Sequence, residues 1–447
     1  MKKSDKSLRK LSRISTKIRG LFNFGNYDKA LEIFEEEKNL INDLPRELRK
    51  EAGQLHCESL MLISIIFSYR GDPTRSFEIV KKMLKIAEEI EDNYCLSLTM
   101  YGYGRYYWFT GDLIQSLKYF DRAIELRQGS DDPLKYSWFL SSIMMAIRVA
   151  VAMGDLDIAK KYYKQVEISQ DDKNYTLLTS PHHKNVYNMS KALILKSSTR
   201  FRDRVLAAEN FKAIFKNEYN TLNNRILSLV DLCELLLNEL RITNDINITD
   251  EIKPLIAKLL DFAETINSFY FFIEANILQA KLALLNFEIN DARRFLTQAQ
   301  RMAERHGYAK LAIEIADLHE DLIRQSERWD YLKKINAPVS KRMELAHLSV
   351  DLNDLIRVQM STTTQVYEKK VTVYKERKEC LVCLGDIEGF GIYICPQCDS
   401  IYCESCANAL IEIENVCWSC ESPIDREKPV KLLKEEEIDI KDKKGTK

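Results

Sequence analysis

From residue 1 to about residue 325, apolar positions recur at helical spacing, and one pattern repeats within them. A turn residue is followed five positions later by a small residue and nine positions later by a large apolar one. The instances are Gly25/Ala30/Phe34, Gly71/Ser76/Val80, Gly111/Ser116/Phe120 and Gly154/Ala159/Tyr163, with the glycines 46, 40 and 43 residues apart. Weaker copies stand at Arg202/Ala207/Phe211 and at Ala292/Leu296. A period of this length predicts one helical hairpin per repeat. The small residue lets the second helix approach the first, and the large one fills the gap to the next hairpin. One hairpin buries little by itself, so stacking has to stabilise the series. Asn26, Asp72, Asp112 and Asp155 follow the glycines and suit a turn or the N-cap of the second helix. Seven hairpins ending near Ser326 are expected.

The chain begins with a basic amphipathic stretch. Leu8, Leu11, Ile14, Ile18 and Leu21 share one helical face, and Gly25 falls where a first hairpin would turn. The expected role is therefore the first helix of the array, with its basic face in solvent. A surface helix on an anionic membrane, or a contact with nucleic acid, is the alternative. Pro338 breaks the pattern. Met343, Leu345, Ala346, Leu348, Leu352, Leu355, Ile356 and Met360 then read as an amphipathic helix. It would cap the array or pair with a second copy. The expected division is a repeat array over 1–326, a capping helix and charged hinge over 327–379, a cysteine-rich module over 380–425, and a disordered charged tail over 426–447.

Composition narrows the class. The chain has 447 residues, 45% of them apolar and 30% charged, with 14 glycines and 9 prolines, which leans helical and exceeds one core. A formal net charge of −1 gives no global field for nucleic acid. No apolar run reaches membrane-spanning length. The start is basic without the uninterrupted apolar core of a signal peptide. The expectation is a cytoplasmic protein.

The third unit, Gly104 to Leu126, resembles the tetratricopeptide repeat. Gly104, Tyr107, Gly111, Ser116, Phe120 and Ala123 fall at that family's small, large, turn, small, large and small positions. The resemblance implies an α-solenoid whose inner face binds a peptide or helix of a partner protein. The aromatic run Tyr101, Tyr103, Tyr106, Tyr107, Trp108 and Phe109 reads chiefly as packing between repeats, and secondarily as a partner face. His182 and His183, beside Pro181, read as a loop pair. Cys57, Cys95 and Cys233 read as small buried apolar residues.

Eight of the 11 cysteines lie between residues 380 and 420 as four C-x-x-C pairs: Cys380/Cys383, Cys395/Cys398, Cys403/Cys406 and Cys417/Cys420. A C-x-x-C turn aims two thiolates at one metal, so two pairs complete a tetrahedral zinc site and eight ligands imply two structural zinc ions. Sequential pairing would give two zinc ribbons. Interleaved pairing would join Cys380/Cys383 with Cys403/Cys406 and Cys395/Cys398 with Cys417/Cys420, a cross-brace. Only four residues separate the second and third pairs, which favours the interleaved scheme.

The order of the pairs, Tyr402 before the third, the helix-like 407–413 after it, and the ending C-x-x-C-x-x-P-I resemble a RING finger of the all-cysteine type. The resemblance implies a surface for a ubiquitin-conjugating enzyme, with Val382, Leu410, Ile411 and Trp418 as the matching positions. Two features depart from the family pattern. Trp418 and Ser419 replace a proline-containing turn, and Glu421 stands where many active members carry arginine. Two functions are therefore expected in competition. One is a RING-type ubiquitin ligase whose repeats recruit a protein. The other is a non-enzymatic adaptor with a structural zinc finger. No phosphate loop, nucleophile elbow or H-E-x-x-H helix is present, so no residue is assigned a covalent catalytic role. The module 380–420 holds no lysine or arginine, which argues against nucleic acid.

Overall fold

The computed structural model describes residues 2–44, 48–126, 133–171, 181–243, 245–324, 326–338 and 341–342, then 380–383, 385, 392–395, 397–398, 400–413 and 415–424. The amphipathic stretch 343–360, the hinge up to 379 and the tail 426–447 lie outside these residues. The chain divides into two compact units, 1–374 and 375–447.

Over its described residues the first unit is all-α: helices and the turns between them, with no strand. Its helices pair as α1 (Lys2–Asn23) with α2 (Tyr27–Asn42), α3 (Arg49–Tyr69) with α4 (Pro73–Glu89), and α5 (Asn93–Thr110) with α6 (Leu113–Glu125). Next come α7 (Pro133–Ala152) with α8 (Leu156–Asp171), and α9 (Pro181–Lys196) with α10 (Phe201–Lys216). The last pairs are α11 (Leu222–Thr243) with α12 (Ile248–Thr265), and α13 (Phe269–Leu285) with α14 (Ile289–Arg305). After these seven hairpins, α15 (Ala309–Arg324) packs on α14, and α16 (Ser326–Lys334) follows it.

The turn chemistry explains where each hairpin bends. Gly25, Gly71, Gly111 and Gly154 have φ between 73° and 89°, the left-handed region that costs a side chain free energy. The acidic residue that follows then caps the second helix. Asp72 accepts from the Arg75 N–H at 2.8 Å, Asp112 from Gln115 at 3.0 Å and Asp155 from Ile158 at 2.9 Å. Asn26 makes no such side-chain bond.

The signature positions are buried. Ala30, Ser76, Ser116 and Ala159 are at most 3% exposed, and Phe34, Val80 and Phe120 fill the adjacent gaps. In the fourth hairpin Tyr163 is only half-buried; its neighbour Tyr162 is buried instead and donates to Asp121. Arg202, expected at a turn, lies inside α10, while Ala207 and Phe211 are fully buried. The seventh turn places Phe287 at φ 62°, five residues before Ala292, where the earlier turns use glycine. The sixth repeats the spacing as Asn247/Ile252/Ile256, with isoleucine in the small position.

Helix α1 buries Leu11, Ile14 and Ile18 and leaves Leu8 and Leu21 half-buried, so it is the first helix of the first hairpin. The aromatic run of α5 goes into packing. Tyr101 and Phe109 are buried, Tyr103 and Tyr107 lie against Tyr119, and Tyr106 against Phe77. Cys57, Cys95 and Cys233 are fully buried. His182 and His183 belong to the first turn of α9 rather than to a loop. No described helix is long and apolar enough to cross a membrane.

Candidate metal centre

The second unit is built from short turns. Strand β1 (Ile392–Ile394) pairs antiparallel with β2 (Ile401–Cys403), and helix α17 (Glu404–Ile413) leaves β2 directly. Three of the four C-x-x-C segments close in the same way, by a bond from the first cysteine's N–H to the carbonyl five residues on. These are Cys380 to Gly385 at 2.9 Å, Cys395 to Ser400 at 2.9 Å and Cys417 to Ser422 at 2.8 Å. The fourth pair differs. Cys403 ends β2 and Cys406 stands in the first turn of α17. A strand-to-helix corner presents those two thiols in place of a turn.

This arrangement gathers the eight cysteines into two groups of four. Cys380, Cys383, Cys403 and Cys406 form one group and Cys395, Cys398, Cys417 and Cys420 the other, with all sulfurs of a group within 4.8 Å of one another. The grouping is the interleaved one. Sulfur–sulfur distances of 3.9 Å for Cys383–Cys403 and 3.5 Å for Cys395–Cys420 and Cys398–Cys417 leave the thiols free rather than disulfide-bonded. They also fit a metal tetrahedron, since a zinc–sulfur bond of about 2.3 Å implies sulfurs about 3.8 Å apart. Each group can therefore hold one metal ion with every position filled by sulfur, leaving none for water or substrate.

The surroundings favour thiolate. Cys380 is held down at about 6: burial opposes ionisation, but N–H donors of Cys383, Cys403 and Val382 outweigh it. Cys398 is also near 6, burial again being outweighed, here chiefly by the hydroxyl and N–H of Ser400. The partner thiols move the other way. Burial pushes Cys395 up to about 12, and hydrogen bonding with the Cys403 thiol does the same to Cys406. In each group one thiol ionises early and another late, which a bound cation would override.

Hydroxyls line the second group. Ser400 Oγ lies 3.2 Å from Cys398 Sγ, Ser422 Oγ 2.9 Å from Cys420 Sγ and 3.4 Å from Cys395 Sγ, and Tyr402 Oη 3.1 Å from Cys417 Sγ. Such groups orient metal ligands. The sequence reading missed them, although the repeated Cys-x-Ser at 398–400 and 420–422 was a visible signal.

The core is small: Tyr402, Ala407, Leu410 and Ile424 among the cysteines. Of the residues matched to a partner surface, Leu410 is 3% exposed and belongs to this core, which removes it from any contact surface. Val382 and Ile411 are half-buried against the core. Trp418 is 56% exposed, its backbone N–H bonded to the Tyr402 hydroxyl. Leu381, which the sequence reading passed over, is exposed beside Val382.

The tetratricopeptide repeat model matches residues 99–129, the unit formed by α5 and α6. No curated protein matches the chain. Among solved structures, the crystal structure of a Rap protein complexed with competence and sporulation factor aligns over 72% of this chain and 99% of its own, at 11% identity and a TM-score of 0.31. The chain is a tetratricopeptide-like helical solenoid followed by a small module with two four-cysteine groups, each able to hold a metal ion.

Proposed function

We propose that this protein is a RING-type ubiquitin ligase in which the helical array recruits a protein and the C-terminal module, holding two zinc ions, engages a ubiquitin-conjugating enzyme. The observation that carries the reading is the interleaving of the two cysteine groups along the chain. Zinc suits all-sulfur tetrahedral sites, and with no open position its role is structural. The residues Cys380, Cys383, Cys403 and Cys406 would hold one ion, and Cys395, Cys398, Cys417 and Cys420 the other. Leu381, Val382 and Trp418 would supply the apolar contacts. Such a module performs no covalent step itself. It holds a ubiquitin thioester in the orientation that an attacking lysine needs.

The test is discharge of ubiquitin thioesters by the full chain against a panel of conjugating enzymes. Discharge should be stimulated, and Trp418→Ala should abolish it while two metal equivalents remain bound. Absence of stimulation with every enzyme in the panel would leave the second reading, a non-enzymatic adaptor. Glu421 favours that alternative. It follows Cys420 at φ 58° and carries a negative charge where many active members of the family use a cation.

A further inference from the structure

The array folds back on itself. The turns that close its first two hairpins are seated on the connections between its last ones. Gly25 approaches Leu222 and Ile266 so closely that an added Cβ would sit 2.3 Å and 3.1 Å from their side chains. Gly71 faces His306 in the same way, at 2.4 Å, and Gly307 faces Pro73 at 3.2 Å. Hydrogen bonds follow the same line. Tyr308 donates its hydroxyl to the Ser68 carbonyl at 2.6 Å and to the Tyr69 carbonyl at 3.1 Å. Ser268 donates to the Tyr69 carbonyl at 3.2 Å, and the Tyr69 hydroxyl donates to Asn223. The rings of Tyr69, Phe109, Tyr270 and Tyr308 interlock across the line. The hydrogen bonds join residues 154 to 240 positions apart.

Behind this seam, charged groups of the first helices meet one another. Arg148 of α7 and Lys196 of α9 both bond Asp231 of α11, and Lys196 also pairs with Glu234. The Asp231 side chain is 3% exposed and those of Arg148 and Lys196 12% and 18%. Arg148 and Tyr270 of the seam are close enough to interact electrostatically.

We propose that the seam is an autoinhibitory latch: the array's charged inner face becomes available only when the turns at Gly25 and Gly71 lift from α11, α13 and α15. The contact is suited to reversal. Three of its hydrogen bonds end on the last two carbonyls of α3 and a fourth on the Asn223 side chain, and it has no ion pair of its own among the described residues. Opening it would leave the packing of α1 on α2 and of α3 on α4 in place.

Gly71→Ala in the full chain tests this, because the added methyl group strikes the His306 ring. Amide exchange over 268–272 and 306–312 should rise about tenfold or more, with helical circular dichroism unchanged. The radius of gyration should grow, and Lys196 should become reactive towards an amine-acylating reagent. Gly71→Ala combined with His306→Gly, which also removes the His306 Cβ that the methyl would strike, clears the obstruction but keeps the backbone strain, and should return exchange towards wild type. Tyr308→Phe, which adds no atoms, should raise exchange at the same segments by a smaller factor. The latch is overturned if both single variants exchange like wild type there, or if the double variant exchanges as fast as Gly71→Ala. Global loss of helicity in Gly71→Ala with wild-type exchange in Tyr308→Phe would also overturn it, since the seam would then be obligatory core.

Discussion

Arg148 on α7 donates to Asp231 on α11 at 2.7 Å, across two hairpins of sequence. Lys196 of α9 reaches the other oxygen of the same carboxylate at 2.6 Å, so one aspartate fastens three successive first helices. Removing it strands the buried Arg148 and leaves Lys196 with Glu234 alone. Asp231→Ala should lower stability by about 3–5 kcal/mol, read as the shift in urea unfolding. Burial alone would push the Asp231 carboxyl up, but Arg148 and Lys196 hold it below its ordinary range. The stabilisation is therefore present above the ordinary carboxylate pKa and is lost as pH falls through the lowered value.

Gly104 shows how tight the repeat packing is. A Cβ there would lie 2.9 Å from two ring carbons of Phe120, and its carbonyl accepts from Ser116 Oγ at 2.8 Å. Gly104→Ala should destabilise the array by about 1–3 kcal/mol through overpacking, measured by thermal or urea unfolding.

Metal analysis should return two zinc equivalents per chain. Chelation should unfold the module around Tyr402 and α17, because ion binding in comparable small domains supplies on the order of 10–16 kcal/mol. Helices α1 to α16 should resist limited proteolysis throughout the titration. Digestion of both units at the same chelator concentration would contradict this separation.

Leu410 and Trp418 should behave oppositely. Leu410→Ala cuts into the module core and should cost about 2–5 kcal/mol and weaken metal retention. Trp418→Ala removes an exposed side chain and should leave metal content and folding at wild-type levels. Metal titration of the two variants separates the roles.

His306 should make the seam sensitive to acid. Burial, with Arg305 adding to it, lowers its pKa from 6.5 to about 4, against the opposing effects of the Gly71 backbone and Asp72. The ring also stacks on Phe269 at 3.7 Å. A histidine depressed in the closed form favours that form fully above pH 6.5 and loses this contribution as pH falls towards 4. Exchange over 306–312 should rise in that window, and His306→Phe should flatten the dependence.

The repeats with glycine turns were legible because a left-handed turn, a small contact residue and a large filler leave a fixed spacing. Legibility failed where another residue met the same need. Phe287 takes the left-handed turn that glycine takes elsewhere, and Ile252 takes the small position of the sixth hairpin. The cysteine positions announced two four-sulfur sites, and their interleaving followed from one short gap. Burial was harder to read. Leu410 lies on a short helix whose amphipathic pattern cannot tell a core facing two metal sites from an outer groove. The seam carried no local signal, since it joins residues far apart in sequence, such as Gly71 and His306.

Strand β2 carries a constraint that reaches both metal groups. Tyr402 sends its hydroxyl to Cys417 in one group, while Cys403, the next residue, supplies a sulfur to the other. Consecutive residues of a strand face opposite ways. Sliding the pairing of Tyr393 with Tyr402 by a single step would therefore deliver a phenol to one ion and withdraw a sulfur from it. A one-residue insertion between Ser400 and Tyr402 should for that reason damage both halves of the module together, however harmless it looks on a surface turn.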